Sequence, residues 1–344
     1  YPQEATEIMM NEGYPPVNTM LTADPPVHTR YRGLVNKAFS PKRVQDMGPA
    51  IEEKTNNIID KFIDTGKCEV ARDIAQQLPI KVIAEALGVS SEHYDKFRMW
   101  SAAFTDQLSG TSTPEEHIEI AKKVVEFQQF FAGKLDEKGK NPSDDIVSDL
   151  ATLDFEDENQ VIRKLEKPEQ LSIIQQLLVA GNATTAHSIT EAMKLLIENP
   201  DQMELVVNDH SLIPNMVEES LRLLTPTNNM WRIVMEDTEL GGVSIPKGST
   251  LLLRYGSGNR DEEVFENPDT FDVTRKNSKR HVAFGQGIHV CLGMNLSRKE
   301  MYTAFPIIID RLKNMRFAEE NDFNYSPNVL LRGLDSLHIE FDKG

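Results

Sequence analysis

One stretch of this chain, from Pro168 to Ile197, decides more about its architecture than any other. Proline suits the first turn of a helix, and Asn199-Pro200 ends the segment. At 1.5 Å per residue the segment predicts a rod of about 45 Å, long enough to cross the whole molecule. Its apolar residues (Leu171, Ile174, Leu177, Leu178, Val179, Ile189, Met193 and Leu196) cover much of the circumference. A helix apolar on most sides cannot lie on a surface; other elements must wrap it.

The rest of the chain supplies the wrapping. Pro114 to Leu135 places Ile118, Val124, Val125, Phe127, Phe131 and Leu135 at helical spacing, and Leu212 to Leu224 reads as a helix stopped by Thr225-Pro226. Leu292 to Leu312 reads as another helix. Strand signals are short and late. Val243 to Ile245, the turn Pro246-Lys247-Gly248 and Thr250 to Leu253 predict a hairpin. Leu337, Ile339 and Phe341 alternate with His338 and Glu340, as on a half-buried strand. The prediction is a mainly α protein with a minor β part. No composition break or low-complexity linker divides residues 1–344, so they are read as a single domain.

A net charge of −17 argues against a general nucleic-acid binder or a partner of anionic membranes. No run of apolar residues is long enough to span a bilayer, and no secretory signal is visible. Two cysteines, Cys68 in a turn-like Gly-Lys-Cys-Glu setting and Cys291, do not suggest a disulfide framework. The expected compartment is a reducing cytoplasm.

Chemistry concentrates around Cys291, inside Phe284-Gly285-Gln286-Gly287-Ile288-His289-Val290-Cys291-Leu292-Gly293. Glycines make this loop pliable, and a sulfur at the start of the following helix feels the positive end of the macrodipole, which favours thiolate. Thiolate binds metal. A buried free cysteine is the commoner fate, but packing alone needs no Phe and two glycines at fixed offsets. A zinc site would want more Cys or His nearby than His281 and His289.

Three further groups matter. Ala180-Gly181-Asn182-Ala183-Thr184-Thr185 lies mid-helix, where Gly181 costs about 1 kcal/mol relative to Ala. Its threonines can bond back to the preceding turn and bend the helix. Glu219 and Arg222 are spaced to share a helix face, a pairing that is usually solvated. His28 and Arg32 share a face in the same way if that segment is helical.

Taken together these segments resemble the cytochrome P450 family, soluble bacterial type. The Cys291 loop matches its haem-binding pattern Phe-x-x-Gly-x-x-x-Cys-x-Gly, Glu219-Ser-Leu-Arg222 its Glu-x-x-Arg, and Ala180 to Thr185 its Ala-Gly-x-acid-Thr-Thr. Asp24-Pro25-Pro26-Val27-His28, Phe39-Ser40-Pro41, Asp144-Asp145 and Gly258-Asn259-Arg260-Asp261 extend the resemblance over essentially the whole chain, with the N-terminal segment of the family fold expected before Tyr1.

The resemblance implies the P450 fold, a single haem-thiolate domain with its long helix over haem b. Cys291 would ligate the iron. His28, Arg32, Arg232, His281 and His289 would meet the propionates, and Ala180, Gly181, Phe284, Gly285 and Gly293 would line the haem. Glu219 and Arg222 would brace the segment leading to the cysteine loop. The family's third, basic partner is Thr270 here, in Pro268-Asp269-Thr270-Phe271, with Arg275 as a substitute. Thr184, Asn182, Ala183 and Thr185 would manage protons, and Ala183 stands where the family has an acid.

The reaction implied is monooxygenation of a small or medium hydrophobic substrate with O2 and electrons from a ferredoxin and its reductase. Arg298 and Lys299, just past the cysteine loop, read either as the start of a basic docking patch for that partner or as solvated surface charge. Met20, Trp100, Phe104, Leu178, Asn229, Met230, Trp231 and Leu330 would line the substrate pocket. Ala183 also opens an alternative, because nitric oxide reductases of this fold lack the acid and draw electrons directly from NADH. A non-catalytic haem-thiolate ligand sensor is the third reading.

Overall fold

The structure is a computed structural model that describes residues 2–157 and 160–344. Its first half is a succession of helices: α1 (Gln3–Glu12), α2 (Val27–Asn36), α3 (Pro41–Asp46), α4 (Gly48–Ile59), α5 (Gln77–Ala86), α6 (Tyr94–Ser109), α7 (Pro114–Lys140) and α8 (Ile146–Thr152). The long helix is α9 (Lys167–Glu198), followed by α10 (Pro200–Asn208), α11 (Ile213–Leu224), the short α12 (Tyr255–Gly258) and α13 (Met294–Arg311).

Local chemistry explains the boundaries. Thr113 and Glu116 form a reciprocal capping box with Pro114 in the first turn of α7, and Glu166 and Glu169 do the same for α9 around Pro168. Thr225, in the left-handed region, ends α11 one residue before Pro226. The 32 residues of α9 span about 48 Å. The helix packs against α5, α6, α7, α8, α10, α11 and α13 and is buried along most of its length, as its apolar circumference requires. One continuous core runs from Met20 to Phe341.

The strands are peripheral. β1 (Lys67–Glu69), β8 (Leu312–Phe317) and β9 (His338–Lys343) form an antiparallel sheet in the order β1-β9-β8. Ile339 and Phe341 face the core from β9, as their alternation predicts. Cys68 is a buried strand residue opposite Ile339, not part of a turn. β2 (Asp154–Glu156) pairs with β3 (Ile162–Lys164). The hairpin expected over 243–253 does not form. β6 (Val243–Ile245) pairs instead with β5 (Thr238–Leu240), and β7 (Thr250–Arg254) pairs with β4 (Asn229–Ile233). Both segments are strands, but each finds its partner upstream of the Pro246 turn.

Candidate haem-thiolate site

The Cys291 loop is closed by its own backbone. Gly285 N donates to Val282 O at 2.8 Å, Cys291 N to Phe284 O at 2.9 Å, and Gly285 and Gly287 adopt φ of 69° and 76°. Left-handed backbone at two positions is the physical reason for two glycines. Arg298, from the second turn of α13, lays its guanidinium 4.7 Å from the Phe284 ring centre.

Cys291 is solvent-accessible although protein packs closely around it, as a side chain facing an internal cleft is. Burial pushes its thiol upward, opposed by the N–H groups of Gly293 and Met294 and by Arg32 and Arg298. The N–H groups at the helix start favour thiolate as expected, but burial outweighs them.

Helix α2 does form, and it brings His28 and Arg32 to this loop. Arg32 Nη2 donates to Val290 O at 2.7 Å, and the His28 and His289 rings lie 4.4 Å apart, edge to face. Both His28 ring nitrogens are buried without a partner, and burial, His289 and Arg32 hold its pKa down. Arg232 donates to Trp231 O at 2.8 Å, and among the described residues no carboxylate pairs with it. The buried His28 ring is costly unless a partner completes it, which a carboxylate of haem would do. Among the described residues no three His, Cys, Asp or Glu side chains are grouped to hold a metal ion. A lone sulfur therefore suits a metal that arrives with its own equatorial ligands, as porphyrin iron does. The residues present fit the group.

His281 does not join them. Its Nδ1 accepts from Ala283 N at 3.1 Å and its Nε2 lies 3.1 Å from Glu218 Oε2, so neither nitrogen is offered to a propionate. Glu218 also binds Arg298 through both oxygens, at 2.6 and 2.7 Å, and Tyr302. Burial alone would raise this carboxyl, but His281, Arg298 and Tyr302 pull it down to about 2. Arg298 is thus an internal tie between α11 and α13, not a surface cation for a redox partner.

The brace is complete. Glu219 and Arg222 are fully buried rather than solvated, joined at 2.8 Å through both Nε and Nη2. Arg222 also donates to the carbonyls of Asn259 and Pro268. Arg275 takes the third position, its Nε 2.8 Å from Glu219 Oε1.

Helix α9 is continuous through 180–185. Thr184 Oγ1 donates back to Ala180 O at 2.8 Å. Ala180 is exposed in the middle of this otherwise buried helix. A Cβ on Gly181 would meet only Ile83, at 3.9 Å, so packing does not demand the glycine. Asn182 Nδ2 donates to Ser101 Oγ of α6, and Thr185 Oγ1 bonds Ser297 Oγ of α13 at 3.1 Å. These two side chains anchor the helix, leaving Ala183 and Thr184 partly accessible.

The expected substrate lining divides. Met20, Trp100, Phe104 and Leu178 are core residues. Trp100 sits among Phe97, Phe127, Phe130 and Phe131, and Phe104 stacks edge-on with Phe127 at 5.0 Å. Strand alternation puts Met230 on the Arg232 face of β4 and turns Trp231, 49% exposed, the other way. Asn229 and Leu330 meet where β4 touches the C-terminal segment: Asn229 Nδ2 donates to Val329 O, and Leu330 O accepts from Asn228 N. A cavity of about 580 Å³ borders none of these candidates; Thr105, Asp106, Glu119, His187 and Asn328 are among its walls. Sequence reasoning misses it, because nothing in the spacing of polar residues on α6, α7 and the C-terminal segment says that they converge.

The cytochrome P450 family model matches residues 6–332. Cytochrome P450 107B1 of Saccharopolyspora erythraea is 37% identical over 93% of this chain and 76% of its own length. The 6-deoxyerythronolide B hydroxylase of the same organism is 34% identical over 99% of this chain and 84% of its own. Among solved structures, P450BioI in complex with hexadec-9Z-enoic acid ligated acyl carrier protein superposes with a TM-score of 0.88 at 30% identity, covering 99% of this chain and 84% of that one. This chain belongs to the cytochrome P450 family, whose members bind haem b through a cysteine thiolate.

Proposed function

We propose that this P450 is a monooxygenase that hydroxylates a small or medium hydrophobic substrate, with electrons from a ferredoxin and its reductase. The overall balance is R–H + O2 + two electrons + two protons → R–OH + water. Haem held by Cys291 supplies the activation of O2. The chain's own residues do the rest. Cys291 is the iron ligand, and His28, Arg32, His289 and Arg232 are the propionate partners. Thr185, bonded to Ser297, fixes the Ala183–Thr184 turn of α9 against the helix that comes after the ligand. Thr184 Oγ1, folded onto Ala180 O, keeps lone pairs for a water and can release that carbonyl to donate. Met230, beside Arg232 on β4, offers an apolar wall.

The observation that carries this reading is the meeting of a solitary accessible sulfur with the unpartnered His28 and the Arg32 guanidinium on one loop. That relatives include a hydroxylase of 6-deoxyerythronolide B supports a hydrophobic substrate. The test is product formation, in the presence of a surrogate ferredoxin system, from compounds that shift the haem to high spin. Cys291→Ala should abolish both turnover and the red-shifted band of the reduced carbonyl complex. Rapid NADH-driven consumption of nitric oxide without a ferredoxin would replace the monooxygenase reading with the reductase one. Spectral shifts without turnover of any ligand would favour a sensor.

A further inference from the structure

Ala183, His187 and Glu191 succeed one another at four-residue intervals on an unbroken stretch of α9, so they share one face. The first carries no proton. The second borders the 580 Å³ cavity, and its Nδ1 is buried with no hydrogen-bond partner. The third is 2% exposed; its Oε1 has no partner and its Oε2 accepts from Tyr325 at 3.2 Å. The cavity walls are mixed: Ser109, Thr111, Ser112, Ser326, Asp106 and Glu119 stand beside Ile120, Pro327 and Leu331. The cavity is open to solvent along exposed Thr111, Glu115, Glu116 and Glu119, so bulk water has access to it.

Gly333, from the C-terminal segment, seats its backbone against the His187 ring. A Cβ there would lie 2.2 Å from ring Cγ, so the close approach needs glycine.

We propose that His187 is the proton-relay residue of this enzyme, passing protons from the cavity water toward Thr184 in place of the acid that Ala183 lacks. This rests on the monooxygenase reading. Burial holds the imidazole neutral, at about 4, against the opposing charge of Asp335. A neutral ring bonds a proton from cavity water at one nitrogen and releases the N–H proton of the other to a water beside Thr184. Its charge is then unchanged, and a return to the first tautomer resets it. Two passages supply the two protons of the reaction; the electrons come from the redox partner. Glu191 is pushed up by burial, opposed by Arg332, Tyr325 and Lys194. The other charges facing the ring come across the cavity, from Asp106 of α6 and from Glu115, Glu116, Glu119 and Lys123 of α7.

The test uses the haem-loaded enzyme with surrogate redox partners. His187→Phe, which keeps a ring of similar size, should slow product formation roughly tenfold or more, shift reducing equivalents to peroxide and enlarge the solvent deuterium effect. Substrate affinity and the reduced carbonyl spectrum should not change. Adding Ala183→Asp to His187→Phe should restore coupling. His187→Gln serves if the Phe variant folds poorly. Independently of turnover, 15N resonances of His187 in the ferrous carbonyl protein should titrate at higher pH when Ala183→Asp places a carboxylate one turn away. Unchanged coupling in His187→Phe, or a His187 titration indifferent to Ala183→Asp, overturns the relay. Absence of product from the wild type with every substrate would sink the monooxygenase reading instead.

Discussion

Arg275 Nε donates to Glu219 Oε1 at 2.8 Å across 56 residues of chain, completing a buried ion triad that Glu219 and Arg222 begin within one helix turn. The same guanidinium donates to the carbonyls of Glu266, Asn267 and Thr270, so it holds the segment before the cysteine loop in shape. Arg275→Ala leaves Glu219 with one cation fewer and takes a donor from three carbonyls, of which Thr270 O keeps Arg222 and Asn267 O keeps Thr270 N. It should cost about 3–5 kcal/mol of stability and reduce haem content. Arg275→Lys should recover little, because an ammonium cannot reproduce the planar fork. Chemical denaturation and the haem-to-protein absorbance ratio read both effects; a lysine variant as stable as wild type would contradict the geometry.

Glu218 predicts an acid limb. Its carboxyl sits at about 2 in the folded state, below the usual value of about 4.3 in an unfolded chain. The stabilisation is complete above that unfolded value and is lost as pH falls toward 2. Converted at 1.36 kcal/mol per unit, it amounts to roughly 3 kcal/mol. Glu218→Gln should flatten stability between pH 4.5 and 2.5 relative to wild type while lowering it near neutrality. Parallel curves for the two proteins across that window would refute the assignment.

Glu300 works in the opposite sense. It is 2% exposed on α13, its Oε2 has no partner, and burial raises its pKa well above the ordinary value. The folded protein then keeps a proton that the unfolded chain releases, so stability falls as pH rises above about 4.3 and continues to fall up to the folded pKa. Glu300→Gln removes this dependence. Its stability relative to wild type, read by chemical denaturation at each pH, should improve steadily between pH 4.5 and 7.5. An unchanged difference would mean that the carboxyl finds a partner.

What is legible in the sequence depends on the range of the interactions. Helix α9 is readable because its cause is local: an apolar circumference between Pro168 and Asn199-Pro200. The strands at 243–245 and 250–254 are readable as strands but not as partners, since three to five residues carry no register. The Cys291 loop declares itself through glycines at left-handed positions. Glu218 is invisible. It precedes Glu219 on an amphipathic helix, and only the approach of Arg298 and Tyr302 from α13 distinguishes it from a solvated acid. His187 is inconspicuous for the same reason: what makes it unusual is a cavity built by three distant segments.

The division of the expected substrate lining can be measured with two truncations. Trp100 is fully buried against four phenylalanines, and its indole N–H lies 3.4 Å from Glu126 Oε2. Trp100→Ala should therefore cost about 3–5 kcal/mol of stability, as large core truncations do. Substrate dissociation constants in the surviving folded fraction should stay within about twofold. Met230 is only half-buried, on the Arg232 face of β4. Met230→Ala removes little packing, so its stability change should stay under about 1 kcal/mol. The loss of an apolar wall should appear instead as roughly tenfold weaker binding of a hydrophobic ligand, read from the spin-state titration. If Trp100→Ala weakens binding while Met230→Ala does not, the substrate lies on the α6 side of the molecule and the assignment of β4 to its pocket is wrong.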